Sequence, residues 1–164
     1  MKRIITLAVL LSFGFIHAQA FKGKGDSKFN IGMNLQNGGT GIQASTDFGL
    51  GENLSYGFVA SYLLGVKEVL GDKPEFKDRF DAKFRINANI GNVLKIDDNF
   101  DVYPGLSLGL KNFGGHLGMR YFFTNGFGIF SEAGFPIAKY DDNSKVFNHL
   151  NNQFTFNIGA SFNM

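Results

Sequence analysis

The sequence predicts an all-β protein in which eight antiparallel strands run in up-and-down order and close into a barrel. Three observations carry that expectation. Phe occurs 20 times and Gly 22 times in 164 residues, a composition suited to strands rather than helices. Apolar and polar residues alternate with period two along most of the chain. Beyond residue 20 there is neither an apolar run of about 18 residues nor a 3.6-period stripe, so spanning helices are excluded.

Residues 1–20, MKRIITLAVLLSFGFIHAQA, are sequence of another kind. A basic start (Lys2, Arg3), an apolar run from Ile4 to Ile16 and the ending Ala18-Gln19-Ala20 form the pattern of a secretory signal peptide, with cleavage after Ala18 or Ala20. The predicted organisation is therefore a leader over 1–20 and one barrel domain over 21–164. Lys2 and Arg3 are the only charged residues of the leader, so its removal takes the formal charge from +2 to zero. No basic excess remains to recruit nucleic acid. The chain has no Cys, so disulfides and thiolate metal sites are excluded. Export without disulfides fits a bacterial envelope protein.

Each strand can be read from its alternation. FNIGMNLQ (29–36) sets Phe29, Ile31, Met33 and Leu35 against Asn30, Gly32, Asn34 and Gln36, and NGGT (37–40) supplies hairpin chemistry. The return strand is 41–50, followed by 54–65 with Leu54, Tyr56, Phe58, Ala60, Tyr62 and Leu64 in phase. A charged loop, 66–78, leads to RFDAKFRINANI (79–90), where Phe80, Ala82, Phe84, Ile86, Ala88 and Ile90 alternate with Arg79, Asp81, Lys83, Arg85, Asn87 and Asn89. After connector 91–99 comes 100–110, with Leu106 and Leu108 in the apolar phase, and then connector 111–115. Strands 116–123 and 128–135 follow, the latter weakened where Phe130 and Ser131 break the pattern. Loop 136–152 precedes the last strand, 154–164. Pro104 removes a ladder donor and is expected to mark a bulge near one rim.

Alternation alone leaves the apolar face free to point inward around a ligand or outward into lipid. Charges of both signs on the polar face favour the outward choice, because they can pair across a narrow interior. An Arg facing lipid at mid-membrane costs about 2–4 kcal/mol. Several strands also reach the ~9–11 residues that cross a bilayer at a tilt. The expected lipid-facing set is Phe80, Phe84, Ile86, Leu106, Leu108, Phe154, Phe156, Ile158 and Phe162. The expected interior network places Arg85, Arg120 and Glu132 at mid-depth, with Asp47, Asp81 and Lys83 nearer the ends. Exchanging the identities of Arg85 and Glu132 should then be better tolerated than either alanine change.

The chain resembles the small eight-stranded outer-membrane barrels of the OmpA/OmpX type. It is similar more closely to an uncharacterised barrel family of Bacteroidota envelopes, through QAFKGKGD (19–26), NGGTGIQASTDFGLGENLSYGF (37–58), YLLGVKE (62–68), VYPGLSLGLKNFGGHLG (102–118) and LNNQFTFNIGASFN (150–163). That resemblance implies a fold and a place in the cell outer membrane, and no established activity. The last strand also resembles the signal read by the outer-membrane assembly machinery, with Phe162 and the terminal Met164 in place of a terminal aromatic.

No set of residues predicts catalysis, a cofactor or a metal. His116 and His149 are expected in or beside loops, without a second ligand at metal spacing. YDDNSK (140–145) and KIDDN (95–99) lack the length and terminal Glu of a calcium loop. Lys67, Lys73, Lys77, Lys139 and Lys145 could meet lipopolysaccharide phosphates. The sequence thus predicts a monomeric, non-enzymatic outer-membrane barrel whose partners are membrane lipids and the assembly machinery. Its role would be structural, or one of surface interaction through 66–78 and 136–152. A narrow channel or carrier for small or hydrophobic solutes and a soluble periplasmic ligand-binding barrel are the alternatives.

Overall fold

In the computed structural model, residues 19–68, 72–140 and 146–164 are described. Residues 1–18, which hold most of the expected leader, residues 69–71 of the expected loop 66–78 and residues 141–145 of the expected loop 136–152 lie outside them. The strands are β1 (Ser27–Gln36), β2 (Gly39–Gly49), β3 (Leu54–Val66), β4 (Phe80–Ala88), β5 (Phe100–Gly109), β6 (Asn112–Phe122), β7 (Phe127–Lys139) and β8 (Thr155–Asn163). All neighbours are antiparallel, and β8 returns to β1, closing the barrel. Closure gives every wall strand two partners and leaves no exposed edge.

The period-two pattern becomes two surfaces. Along β3, Ser55, Val59, Ser61 and Leu63 are buried while Leu54, Phe58 and Leu64 are exposed. Along β4, Asp81, Arg85 and Asn87 are buried while Phe84 and Ile86 are exposed. Leu106, Leu108, Phe154, Phe156, Ile158 and Phe162 also project outward, and Phe80 is half-buried. The buried residues are thus mostly polar and the exposed ones apolar, the reverse of a water-soluble domain.

Several boundaries differ from expectation, each for a local reason. The β1–β2 turn contracts to Asn37 and Gly38, with Gly38 at φ 76°, and β2 begins at Gly39. β6 begins at Asn112, so residues 112–115 are strand and only Leu110 and Lys111 turn the chain. Phe130 does not break β7; it points inward in phase with Gly128 and Glu132. β7 also continues through Pro136, because the register shifts between Phe113 and Gly114 and absorbs the proline at that irregularity.

Pro104 makes no bulge. Leu110 N donates to Ala82 O and Ile90 N to Val102 O, so one register runs along the whole β4–β5 seam. Stepping by two residues from those bonds puts Pro104 opposite Ala88 at a bonded position, where the ring has no N–H to give.

Both mouths are covered. At one end Ala20 packs on Phe122 and its N–H donates to Asp98 O at 2.7 Å, while Phe21 is buried. Below it Lys28 Nζ lies 2.6 Å from Asp26 Oδ2. At the other end, part of the stretch expected as loop 136–152 folds inward, and Phe147 and Leu150 pack on Leu63 and Val66. Gln36 and Asn151 exchange two hydrogen bonds there, at 2.7 and 3.0 Å.

Candidate functional site

The barrel interior is the candidate site, and its centre is Asp47 on β2. Arg85, on β4, donates through Nε to Asp47 Oδ1 at 2.7 Å and through Nη2 to Oδ2 at 2.8 Å, a bidentate pair. Arg85 Nη1 reaches Glu132 Oε2 on β7 at 2.8 Å. Arg120, on β6, meets Asp47 Oδ2 at 3.3 Å and Asp101 Oδ2 at 3.2 Å, with Nη2 donating to Asn89 Oδ1 at 2.9 Å. Two guanidinium groups thus share one carboxylate, and Asp101 and Glu132 bracket the array.

Uncharged groups complete the coordination. Asn87 Nδ2 donates to Asp47 Oδ1 at 2.9 Å, Ser45 Oγ accepts from Arg85 at 3.0 Å, and Gln43 Nε2 lies 3.4 Å from Glu132 Oε1. The ring of Tyr103 fills the space beside the guanidinium groups, 4.3 Å from the Arg120 carbon and 5.8 Å from that of Arg85. Gly118 makes room for it: a Cβ there would sit 2.1 Å from the ring.

The six residues expected in the network fall into two groups. Asp47, Arg85, Arg120 and Glu132 are in contact as described. Asp47 is central rather than near an end, because the β2–β3–β4 register puts it level with Gly57 and Arg85. Asp81 and Lys83 stand apart as a pair at 3.6 Å. Neither oxygen of Asp81 has a hydrogen-bond partner among the described residues. The expected Arg85–Glu132 exchange is also corrected: it would set a carboxylate beside Asp47, where like charges repel.

Five contributors lie outside the expected network. Asp101 and Tyr103 occupy the inward phase of β5, and their alternation with Phe100, Val102 and Pro104 was the available signal. Asn87 and Asn89 continue the phase of Arg85. His116 is not a loop residue; it lies buried in β6, four positions before Arg120 and so on the same face, with Nε2 2.8 Å from Asn87 Oδ1. His149 does lie in a connector, with Nδ1 3.2 Å from Val146 O.

This arrangement holds charge and leaves little room for a solute. A cavity of about 30 Å3 remains between Gln43, Arg85, His116, Glu132 and Asn157. That is space for one or two waters.

A closed eight-stranded barrel with an ion-paired interior and an apolar outer wall defines the class: the small β-barrels of the kind found in outer membranes. Within it, the chain belongs to a family of unknown function, DUF6646, whose sequence profile matches residues 11–164. Among solved structures it is similar to the N-terminal β-barrel domain of Pseudomonas aeruginosa OprF, with a TM-score of 0.56 and 9% identity over 87% of this chain and 100% of that one. It is also similar to the outer membrane protein OprG from Pseudomonas aeruginosa, with a TM-score of 0.50 and 11% identity over 87% of this chain and 97% of that one. At such identities the likeness is one of fold. No curated protein matches the chain.

Proposed function

We propose that the protein is a monomeric β-barrel of a Gram-negative outer membrane, non-enzymatic and closed to solutes, with a structural or surface-interaction role. The observation that carries this reading is the inversion of polarity. Ile31, Met33, Ile42, Phe58, Leu108 and Ile158 face outward, while Arg85, Arg120 and Asp47 are about 1% exposed inside. Water would penalise that outer wall and hydrocarbon would not.

Aromatic clusters at the two ends of the wall support the same reading. Phe48 packs on Tyr56, Tyr121 on Phe123 and Phe127 on Phe162 at the end carrying Ser27. Tyr62, Phe76 and Phe80 pack together at the other. Rings at both heights are the girdles of a membrane barrel. The membrane lipids and the assembly machinery are then the partners, the latter reading β8 through Phe162 and Met164. The segments quoted for the Bacteroidota resemblance suggest the source of that envelope.

The Asp47 network and the two covered mouths support the closed reading. In planar bilayers the purified protein should show no steady conductance, and a stable open level would overturn the closed reading. Membrane fractionation with heat-modifiable gel mobility tests location: the barrel should need detergent for extraction, and release in buffer alone would favour the soluble alternative.

The covered mouth also bears on processing. Ala20 is 1% exposed and bonded through its N–H to Asp98 O. We therefore expect cleavage after Ala18, leaving Gln19 as the first residue. Intact-mass measurement of the outer-membrane protein checks this; a chain beginning at Phe21 would refute it.

A further inference from the structure

Three connectors join strands at the end carrying Ser27, and one of them differs in chemistry. GEN (51–53) and TNG (124–126) are short and polar. The connector after β4, residues 91–99, carries Val93, Leu94 and Ile96, which are 61%, 48% and 65% exposed. Single exposed apolar residues are ordinary, whereas several gathered on one turn mark a contact surface.

The helical turn Gly91–Leu94 is fixed against the start of β5. Gly91 N donates to Asp101 Oδ1 at 3.1 Å, and a Cβ on Gly91 would collide with Phe100 O. Phe100 is level with Tyr121 in the β5–β6 register, so the turn stands at the height of the aromatic girdle on that end. Its rotation is fixed as well. Asn92 Nδ2 donates to Phe21 O at 3.2 Å, so that side faces the covered mouth. Leu94, two residues on, projects about 200° round the turn and so away from the mouth. Leu94 N donates to Ile90 O at 3.0 Å, and Ile90 follows Ile86 and Ala88 in the outward phase of β4. The exposed Leu54 lies opposite Ala88. Leu94 thus extends the apolar outer wall beyond the end of β4.

Charge does not account for this surface, because Lys95 is followed by Asp97 and Asp98 and the connector bears one cation against two anions. Continuity with the outer wall selects hydrocarbon as what covers it. We propose that connector 91–96 is an interfacial anchor, with Leu94 in the acyl boundary of the adjacent leaflet and Val93 and Ile96 at the shallower level of the head groups. Val93 borders Lys22, Lys24 and Glu52, and Ile96 borders Gln19, Asp97 and Asp98, polar surroundings suited to that level. The proposal rests on the membrane reading above and adds to it a one-sided lipid contact outside the strands.

The chain has no Trp, so single-Trp variants report depth without background. Leu94→Trp, Val93→Trp, Phe58→Trp and Glu52→Trp are each made in the full barrel and refolded into phosphatidylcholine vesicles brominated near the head-group end of the acyl chain. All four positions are exposed; Phe58 marks the wall and Glu52 the polar turn. Leu94→Trp should lose about half its emission relative to unbrominated vesicles, the response of a side chain at the acyl boundary. Val93→Trp should lose less, and Glu52→Trp almost none. Adding phosphatidylglycerol should leave the Leu94→Trp response unchanged, because the connector has no excess of cations. Quenching of Leu94→Trp that only matches Glu52→Trp, that falls below Val93→Trp, or that needs phosphatidylglycerol would each overturn the proposal. Heat-modifiable mobility checks folding. Should Leu94→Trp not fold, Leu94→Cys in this Cys-free chain reads the same contact: a water-soluble maleimide should label it more slowly than Glu52→Cys, and equal labelling overturns the anchor. Quenching at Phe58→Trp with none at Leu94→Trp defeats the anchor alone, whereas no quenching at Phe58→Trp defeats the membrane reading itself.

Discussion

Replacing Asp47 with alanine should destabilise the barrel by about 3–5 kcal/mol, the usual loss when one partner of a buried ion pair is removed. Domains are commonly stable by only about 5–15 kcal/mol, so this change should abolish or nearly abolish the folded, heat-modifiable species. The reason is that Asp47 answers two cations. Its Oδ1 and Oδ2 take both Arg85 contacts at 2.7 and 2.8 Å, and Oδ2 also meets Arg120 at 3.3 Å. Without it two buried guanidinium groups lose their shared counter-charge in a region with almost no space for water. Glu132→Ala provides the internal comparison. Arg85 would keep its bidentate partner, so this variant should lose clearly less. Urea titration read by gel mobility orders the two, and equal damage would sink the assignment of Asp47 as the hub.

Gly118→Ala carries the second large expected effect. The new Cβ would lie 2.1 Å from Cε2 and Cζ of Tyr103 and 2.6 Å from its hydroxyl oxygen. Such overpacking costs about 1–3 kcal/mol when neighbours can shift, and occasionally more. Tyr103 has little freedom to shift, because its ring is fully buried beside Arg120 and Arg85. Adding Tyr103→Leu should recover part of the loss by removing the ring atoms that collide. A double-mutant cycle should give a coupling of about 0.5–3 kcal/mol, and additivity would show that the ring and the glycine do not act as a unit.

Both Asp47 and Tyr103 owe their roles to register as well as to local pattern. Alternation in β4 separated Arg85 from Phe84 and Ile86 correctly, because side-chain direction in a strand is a local property. The same rule, applied in phase, would have delivered Asp101, Tyr103 and His116. In β5 the apolar phase dominates the pattern, and in residues 112–115 two adjacent glycines hide the strand that carries His116. The inward placement of Phe130 looked like an error of pattern, yet it follows the phase of Glu132. The donor that Pro104 lacks is visible in the sequence, whereas the tolerance of one absent bond by an otherwise continuous register is not. The covers over the two mouths were outside what periodicity could reach. Ala20, Phe21, Phe147 and Leu150 lie in non-repeating segments, and only the barrel's openings give them something to pack against.

The sequence by itself determined that eight strands form, which face of most of them is apolar, and that closure into a barrel is the economical way to pair them. All of that depends on interactions between residues two apart or on turns of a few residues. Only the tertiary structure decided that Asp47 sits between two arginines, that Asp81 and Lys83 stand aside, and that both ends are covered. Those outcomes depend on strand register and on chain segments distant in sequence. A shift of register moves a charge along the barrel axis without altering a single residue of the pattern.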